Sequence, residues 1–295
     1  LGDMRPVTSR EEAMTTITDR TKAFARRITP WGFPIIYIAW AYLFWSPIFG
    51  SDTSVWEGTN LLFFLLGSAS PLVAAVTMGW LTGGPERVRD LGHRLVDFRR
   101  IGARWWRVML LFWPAFDLVV SGAAIVLGVT DRPFSIVWEI LTDPGTLAFM
   151  LFLWFLGPAV EEVGLRGYYF DRLQERYSTT VAGFINGGTW ALWHVPYVYF
   201  PGYYDDLSFS PELWWWLPYI VLSTLLIVWV YEETGRSILA AVLFHGLMNM
   251  TGEVMGLAGE IFPLQALVFA VAAVLLIAYW RRRTPVPERR PSDVA

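Results

Sequence analysis

A short list of ionisable side chains, with two asparagines as uncharged companions, stands out in the strongly apolar part of this sequence. A charge inside a membrane helix is costly, so such residues are rare and are by default candidates for a functional role. Three carboxylates, one guanidinium, two imidazoles and two amides make up the set, namely Asp117, Glu161, Glu162, Arg166, His194, His245, Asn186 and Asn249. Their spacing indicates which of them can act together.

Helical spacing gives the two adjacent glutamates different partners. Glu162 and Arg166 stand at i and i+4 with the glutamate first, the order that favours an ion pair within a helix. Adjacent helical residues point about 100° apart, so Glu161 faces elsewhere and has no local cation. His245 and Asn249 also stand at i and i+4 and share one helix face. The pattern predicts a free carboxylate at Glu161 and a separate His/Asn pair.

A depth argument places Glu161, His194 and His245 in one layer. The hairpin between the first two turns near 177–178, so that Glu161 precedes the turn by as many residues as His194 follows it. At ~1.5 Å per residue, both stand ~24 Å from the tip of the hairpin. His245 lies ~12 Å along its own helix, counted from Ser237. If the hairpin tip protrudes by a similar distance, the three groups share one depth.

These groups suit the hydrolysis of a peptide bond. Glu161 can act as general base toward water, and His194 can hold that water and pass a proton to a leaving amine. The N–H of His245 and the amide of Asn249 are donors that suit a developing oxyanion. Asp117 has no such companions, so we expect it to have an interhelical or helix-capping role.

The elements that must position these groups are membrane helices. The sequence is 55% hydrophobic and 17% charged, whereas a soluble domain has ~45–50% apolar and ~25% charged residues. A crossing helix needs ~20 apolar residues. Eight runs qualify, at 28–51, 58–85, 105–130, 144–160, 179–204, 213–231, 237–252 and 261–280. We predict an all-α polytopic membrane protein with one helical domain over 28–280 and a catalytic core at about 144–252.

The basic residues orient this bundle. With a cytoplasmic N-terminus, 22 of the 23 Lys and Arg residues lie on the inner side and only Arg132 lies outside. By the positive-inside rule, both termini are cytoplasmic and the site opens to the cytoplasm, which we expect in the plasma membrane of a prokaryote. Segment 1–27 is then a cytoplasmic extension without the features of a signal peptide, and 281–295 is a disordered cytoplasmic tail. Segment 86–104 is either an amphipathic helix on the membrane surface or a solvated loop helix.

Composition excludes several classes of site. The chain has no cysteine, so disulfides, thiolate nucleophiles and thiolate zinc sites are ruled out. A net charge of −3 argues against nucleic-acid binding by a basic face. The glycines of the pairs Gly164/Gly167 and Gly187/Gly188 are expected to permit close helix packing.

Three short motifs carry a resemblance to a known family. E-E-V-G-L-R-G (161–167) resembles the EExxxR motif of the intramembrane CAAX proteases and bacteriocin-processing enzymes, the CPBP family. W-A-L-W-H (190–194) resembles its FxxxH motif, with Trp190 in place of Phe, and H-G-L-M-N (245–249) is similar to its HxxxN motif. The three motifs stand in the order of that family, which includes the type II CAAX prenyl endopeptidases.

The resemblance implies an endopeptidase that cuts near the C-terminus of a substrate or beside a membrane segment. The substrate would be a peptide or a prenylated protein, with membrane lipid as a further partner. By analogy, Glu161 with His194 would activate water, and His245 with Asn249 would bind the oxyanion. The residues that would support the site are Glu162, Arg166 and Trp190, the last as an aromatic packing residue.

Metal dependence stays open at this point. Glu161, His194 and His245 could supply three ligands to a zinc ion, with water as the fourth. The sequence lacks HExxH, and Asn249 suits an oxyanion better than a metal, so we favour a metal-free glutamate mechanism without a cofactor.

Two other functions fit part of the pattern. Intramembrane Glu, His and Asp residues could relay protons in a proton-coupled transporter, although the sequence shows no inverted repeat. The second alternative is a non-proteolytic membrane scaffold of the same family. Such a protein is expected to lack some of the motif residues, whereas this sequence retains all three motifs.

Overall fold

The chain is almost entirely helical over the residues that its computed structural model describes, 9–204 and 211–282. Within these ranges there is no β-strand, and Phe134 and Leu257 form an isolated bridge. Of the predicted disordered tail, Arg281 and Arg282 end the last helix, and the rest lies outside the described residues. In chain order the α-helices are α1 (Ser9–Ile28), α2 (Gly32–Trp45), α3 (Gly58–Ser68), α4 (Ser70–Val96), α5 (Ala103–Val126), α6 (Trp138–Thr142), α7 (Pro144–Glu162), α8 (Asp171–Gln174), α9 (Thr179–His194), α10 (Leu213–Glu233), α11 (Ile238–Met255) and α12 (Ile261–Arg282).

Six helical stretches in the described ranges are long and apolar enough to cross a membrane. They correspond to the second, third, fourth, sixth, seventh and eighth predicted spans. The first predicted span holds a shorter apolar helix, Gly32–Ile48, and the fifth holds the 16-residue α9. The all-α, multi-pass membrane architecture is therefore confirmed. The count of eight crossings and the cytoplasmic placement of both termini stay predictions.

The helix of the fourth predicted span, 144–160, continues beyond its predicted end. It passes the two glutamates and continues from α7 into a π-helix, Val163–Phe170, and then into α8. Every residue of the π-helix is buried. The amide of Asn186 on α9 donates to the carbonyl of Leu165 at 2.8 Å, which fastens this segment to the neighbouring helix. π-helical turns are rare and are frequently found at functional sites.

Small residues bring the neighbouring helices close to the π-helix, as predicted. A Cβ added at Gly164 would lie 2.5 Å from the carbonyl oxygen of Pro71 at the start of α4. One added at Gly167 would meet the side chain of Ile238, and one at Gly187 would meet the backbone of α10. Gly188 differs, because a Cβ there would meet nothing within 4 Å.

The caps of α9 and α11 lie where the depth argument requires them. Ser178 accepts a hydrogen bond from the Val181 amide at 3.4 Å, so the hairpin turns just before Thr179, as predicted. Ser237 accepts one from the Ala240 amide at 3.1 Å and begins α11. These caps satisfy amides that have no partner within the helix. They mark the first turns of α9 and α11, the points from which the depth argument measures His194 and His245.

Segment 86–104 is helical up to Val96, and whether it lies on the membrane surface or in solvent stays a prediction. Helix α4 kinks at Gly84, where φ is +68°, and continues through the charged residues to Val96. Arg94 is buried and donates to the carbonyl of Gly167 at 2.7 Å and to Asp171 at 2.9 Å. The segment therefore packs on the hairpin that carries the two glutamates. A periodicity argument could not foresee these two bonds, because Gly167 and Asp171 lie more than 70 residues from Arg94 in sequence.

Candidate active site

Trp190 on α9 is the centre around which the predicted catalytic residues gather. Its indole N–H donates to Oε2 of Glu161 at 2.6 Å. The centroid of its ring lies 5.1 Å from that of His194 and 5.1 Å from that of His245, edge to face in both cases. Glu161 comes from the end of α7 and His245 from α11, so one side chain joins residues of three helices.

His194 has one ring nitrogen engaged and one available. Its Nδ1 lies 3.0 Å from the carbonyl oxygen of Trp190, one turn earlier in the same helix. A carbonyl only accepts, so Nδ1 carries the proton and Nε2 keeps its lone pair. His194 and Glu161 are both partly exposed, unlike the buried residues beside them. The two groups that can meet water are therefore a carboxylate and an imidazole acceptor.

A buried ionic group lies behind them. Oε1 of Glu162 accepts from Nη1 of Arg166 at 2.9 Å and is 2.9 Å from Nδ1 of His245. The exposed fractions of Glu162, Arg166 and His245 are 0%, 0% and 3%. The predicted pairing of Glu162 with Arg166 is confirmed. The contact with His245 was not predicted, and Nε2 of that residue has no hydrogen bond within the part of the chain that the structure describes.

Arg166 ties this group to the rest of the site. Its second terminal nitrogen donates to Thr224 of α10 at 3.3 Å, and its guanidinium carbon lies 4.9 Å from the centroid of the Trp190 ring. A guanidinium over an indole face is attracted by the ring quadrupole. The charge of Arg166 is thus shared between Glu162 and Trp190, which holds both parts of the site in one arrangement.

The remaining sequence-predicted residues divide between the site and the scaffold. Asn249 lies one turn after His245 on α11 and is partly exposed, with no hydrogen bond to its side chain among the described residues. Asp117 accepts from Gln265 of α12 at 2.9 Å and is buried, which confirms its interhelical role. Asn186 fastens the π-helix, as described above, and belongs to the scaffold.

Sequence reasoning missed that Trp190 is a hydrogen-bond donor. It predicted packing alone, because the related motif has Phe at this position. The signal was available, since the N–H of a buried tryptophan usually finds a partner. Thr224 was missed because its partner Arg166 is 58 residues away and no motif links the two.

The alternative zinc ligands are not gathered into a metal site in this arrangement. Over the described residues, 9–204 and 211–282, no three His, Cys, Asp or Glu side chains lie where they could hold a metal ion together. Each of Glu161, His194 and His245 contacts Trp190 instead, and one nitrogen of each histidine is already hydrogen-bonded.

Comparison with known proteins agrees with this geometry. Residues 143–251 match the family described as type II CAAX prenyl endopeptidase, Rce1-like. The protein named CAAX prenyl protease 2 of Methanococcus maripaludis is 29% identical over 255 residues, which cover 84% of this chain and 90% of that relative. The matched family segment contains all three motifs, so the resemblance predicted from them is confirmed. The segment that carries Glu161, His194 and His245 is thus similar to the Rce1-like CAAX prenyl endopeptidases, and the two comparisons identify the protein as a protease.

Proposed function

We propose that this protein hydrolyses a peptide bond inside the membrane with Glu161 as the general base. The observation that carries the proposal is the 2.6 Å hydrogen bond from Trp190 to Oε2 of Glu161. It fixes one carboxylate oxygen beside two histidines and leaves the other oxygen to take a proton from water. The water oxygen adds to the substrate carbonyl carbon as its proton moves to Glu161.

In this mechanism His194 holds the attacking water through Nε2. That nitrogen is an acceptor because Nδ1 donates to the Trp190 carbonyl. When the C–N bond of the tetrahedral intermediate breaks, the proton taken from water passes to the leaving amine. His194 and Glu161 are partly exposed, as groups that must meet water and substrate have to be.

His245 and Asn249 are proposed to stabilise the oxyanion. Nε2 of His245 can donate to the oxyanion when both ring nitrogens carry protons, and Nδ1 faces the Glu162 carboxylate at 2.9 Å. The side-chain amide of Asn249 supplies a second donor one turn along α11. Preorganised donors of this kind typically contribute 10²–10³ in kcat, about 2.7–4 kcal/mol each.

The proposed substrate is a prenylated protein or peptide cut near its C-terminus. The name of the archaeal relative refers to prenyl substrates, and residues 143–251 match a family described in the same terms. A site among membrane helices suits a substrate that a lipid chain holds in the bilayer. We place the enzyme in a prokaryotic plasma membrane with its site open to the cytoplasm, as the distribution of basic residues indicates.

We also propose that no metal ion takes part. Both histidines have one nitrogen engaged within the protein, and the mechanism above needs only the remaining Nε2 atoms. If a zinc ion were bound instead, Glu161, His194 and His245 would hold it, and it would activate the water in place of Glu161.

Cleavage of a fluorescence-quenched peptide with a prenylated C-terminal cysteine motif tests these proposals. The purified protein in detergent is compared with Glu161→Gln and with Glu260→Gln, which changes an exposed glutamate outside the site. We expect Glu161→Gln to lose cleavage and Glu260→Gln to keep it. Activity that is insensitive to a strong chelator supports the metal-free mechanism, whereas loss that zinc restores contradicts it. Equal cleavage of the unprenylated peptide would contradict the proposed substrate class.

A further inference from the structure

Tyr37 on α2 has a buried hydroxyl that the described structure leaves without a hydrogen-bond partner. Its exposed fraction is 0%, and its phenolic oxygen has no partner among the described residues. A buried polar group without a partner is destabilising, and native proteins satisfy nearly all of them. Tyr37 lies outside the family segment 143–251 and outside all three motifs.

The surroundings of this hydroxyl belong to the active site. The Tyr37 ring stacks on Trp193 at 5.7 Å between centroids, and Trp193 lies 4.8 Å from the ring of His194. The hydroxyl lies within electrostatic range of the charged groups of Glu161, Arg166 and Glu162. Helix α2 therefore presents a polar atom to the catalytic carboxylates.

Two atoms of the buried ionic group behind Glu161 also lack a partner among the described residues. They are Oε2 of Glu162 and Nε of Arg166. Together with the Tyr37 hydroxyl they form a complementary set. Nε of Arg166 can only donate, Oε2 of an ionised Glu162 can only accept, and the hydroxyl can do both. Internal waters typically bind at such places, with two to four polar partners.

We propose that Tyr37 is a positioning residue of the active site. Its hydroxyl joins Glu162 and Arg166 through an internal water and, by the same bonds, holds the adjacent Glu161 in place for catalysis. Glu161 is then positioned from two helices, by the Trp190 N–H from α9 and by Tyr37 from α2. This role rests on the proposed function, because it concerns the same general base.

The test compares Tyr37→Phe with Tyr42→Phe in the peptide-cleavage assay. Tyr42 lies on the same helix, and its hydroxyl donates to the Leu192 carbonyl at 3.4 Å. Tyr42→Phe is therefore a matched control, because it also removes one hydroxyl from α2. We expect Tyr37→Phe to lower kcat about ten-fold or more with KM unchanged, the size of a lost bond to a charged group. Tyr42→Phe is expected to keep the wild-type kcat. The unfolding temperature of Tyr37→Phe should not rise.

Three results would overturn the proposal, and the last two have one cause. One is a wild-type kcat with a raised unfolding temperature, which means that the hydroxyl is simply unsatisfied and its removal relieves a cost. The others are an equal loss of kcat in both variants and a change in KM alone, each of which indicates a packing effect. Failure of the proposed function has a different signature, because Glu161→Gln would then retain cleavage.

Discussion

At the scale of the residue, Trp190 connects the general base to the two histidines. Its ring contacts both imidazoles and the guanidinium of Arg166, while its N–H holds Glu161. Phe at this position would keep the ring contacts and lose the hydrogen bond. We therefore expect Trp190→Phe to fold normally and to lower kcat about 10–100-fold, as for a lost bond to a charged group.

Steady-state kinetics on Trp190→Phe checks this, with Trp214→Phe as its control. Trp214 is 68% exposed and lies at the start of α10, where its indole N–H donates to Glu212. Both variants lose one indole, so a general effect of tryptophan removal would lower both activities equally. An unchanged kcat in Trp190→Phe would show that Glu161 does not need this donor.

Arg166 is expected to matter for stability as well as for activity. Arg166→Met leaves the carboxylate of Glu162 buried without its main cation, a change that typically costs about 3–5 kcal/mol. The matched variant Arg172→Met breaks a pair whose glutamate is 43% exposed, and such pairs contribute about 0–1 kcal/mol. Unfolding in mixed detergent micelles measures both free energies. Equal losses would contradict a buried, paired charge at Arg166.

The site was predictable where its contacts are local in sequence. Glu162 and Arg166 are one turn apart, so spacing alone gave their pairing. The bond between Glu162 and His245 joins residues 83 apart, and that from Trp190 to Glu161 joins residues 29 apart. No periodicity determines such contacts, since they depend on how the helices pack.

At the scale of the element, the π-helix Val163–Phe170 positions the motif that contains Arg166. Neighbouring helices stabilise this π-helix. The amide of Asn186 donates to one of its carbonyls, and α4 packs closely against it at Gly164. The apolar pattern predicted a span that ends at the glutamates, because a hydropathy pattern breaks at charged residues. It carries no information on whether the backbone hydrogen bonds of the helix continue past them. The helix caps at Ser178 and Ser237 were predictable, since they follow from residue type.

Gly164→Ala tests the close approach of α4 to the π-helix. The added methyl would lie 2.5 Å from the Pro71 carbonyl oxygen, so we expect a loss of about 1–3 kcal/mol in stability and reduced cleavage. Gly188→Ala is the control, because its methyl would meet nothing within 4 Å and alanine favours a helix by about 1 kcal/mol. Thermal unfolding of both variants is the measurement. A Gly164→Ala protein as stable as Gly188→Ala would contradict this packing.

At the scale of the whole molecule, the orientation in the membrane decides which side the substrate comes from. The absence of cysteine makes this directly measurable, since single cysteines can be added without a background. We expect a membrane-impermeant thiol reagent to label Asp131→Cys on intact cells and Arg99→Cys only after permeabilisation. The opposite pattern would invert the predicted topology and with it the cytoplasmic opening of the site.

The central claim is that Glu161 activates the water that cuts a prenylated substrate. Mass spectrometry of a prenylated peptide incubated with wild-type protein and with Glu161→Gln tests it most directly. The account predicts one new peptide pair from the wild type, cut beside the prenylated cysteine, and intact substrate with Glu161→Gln. The same products at the same rate from Glu161→Gln would contradict it.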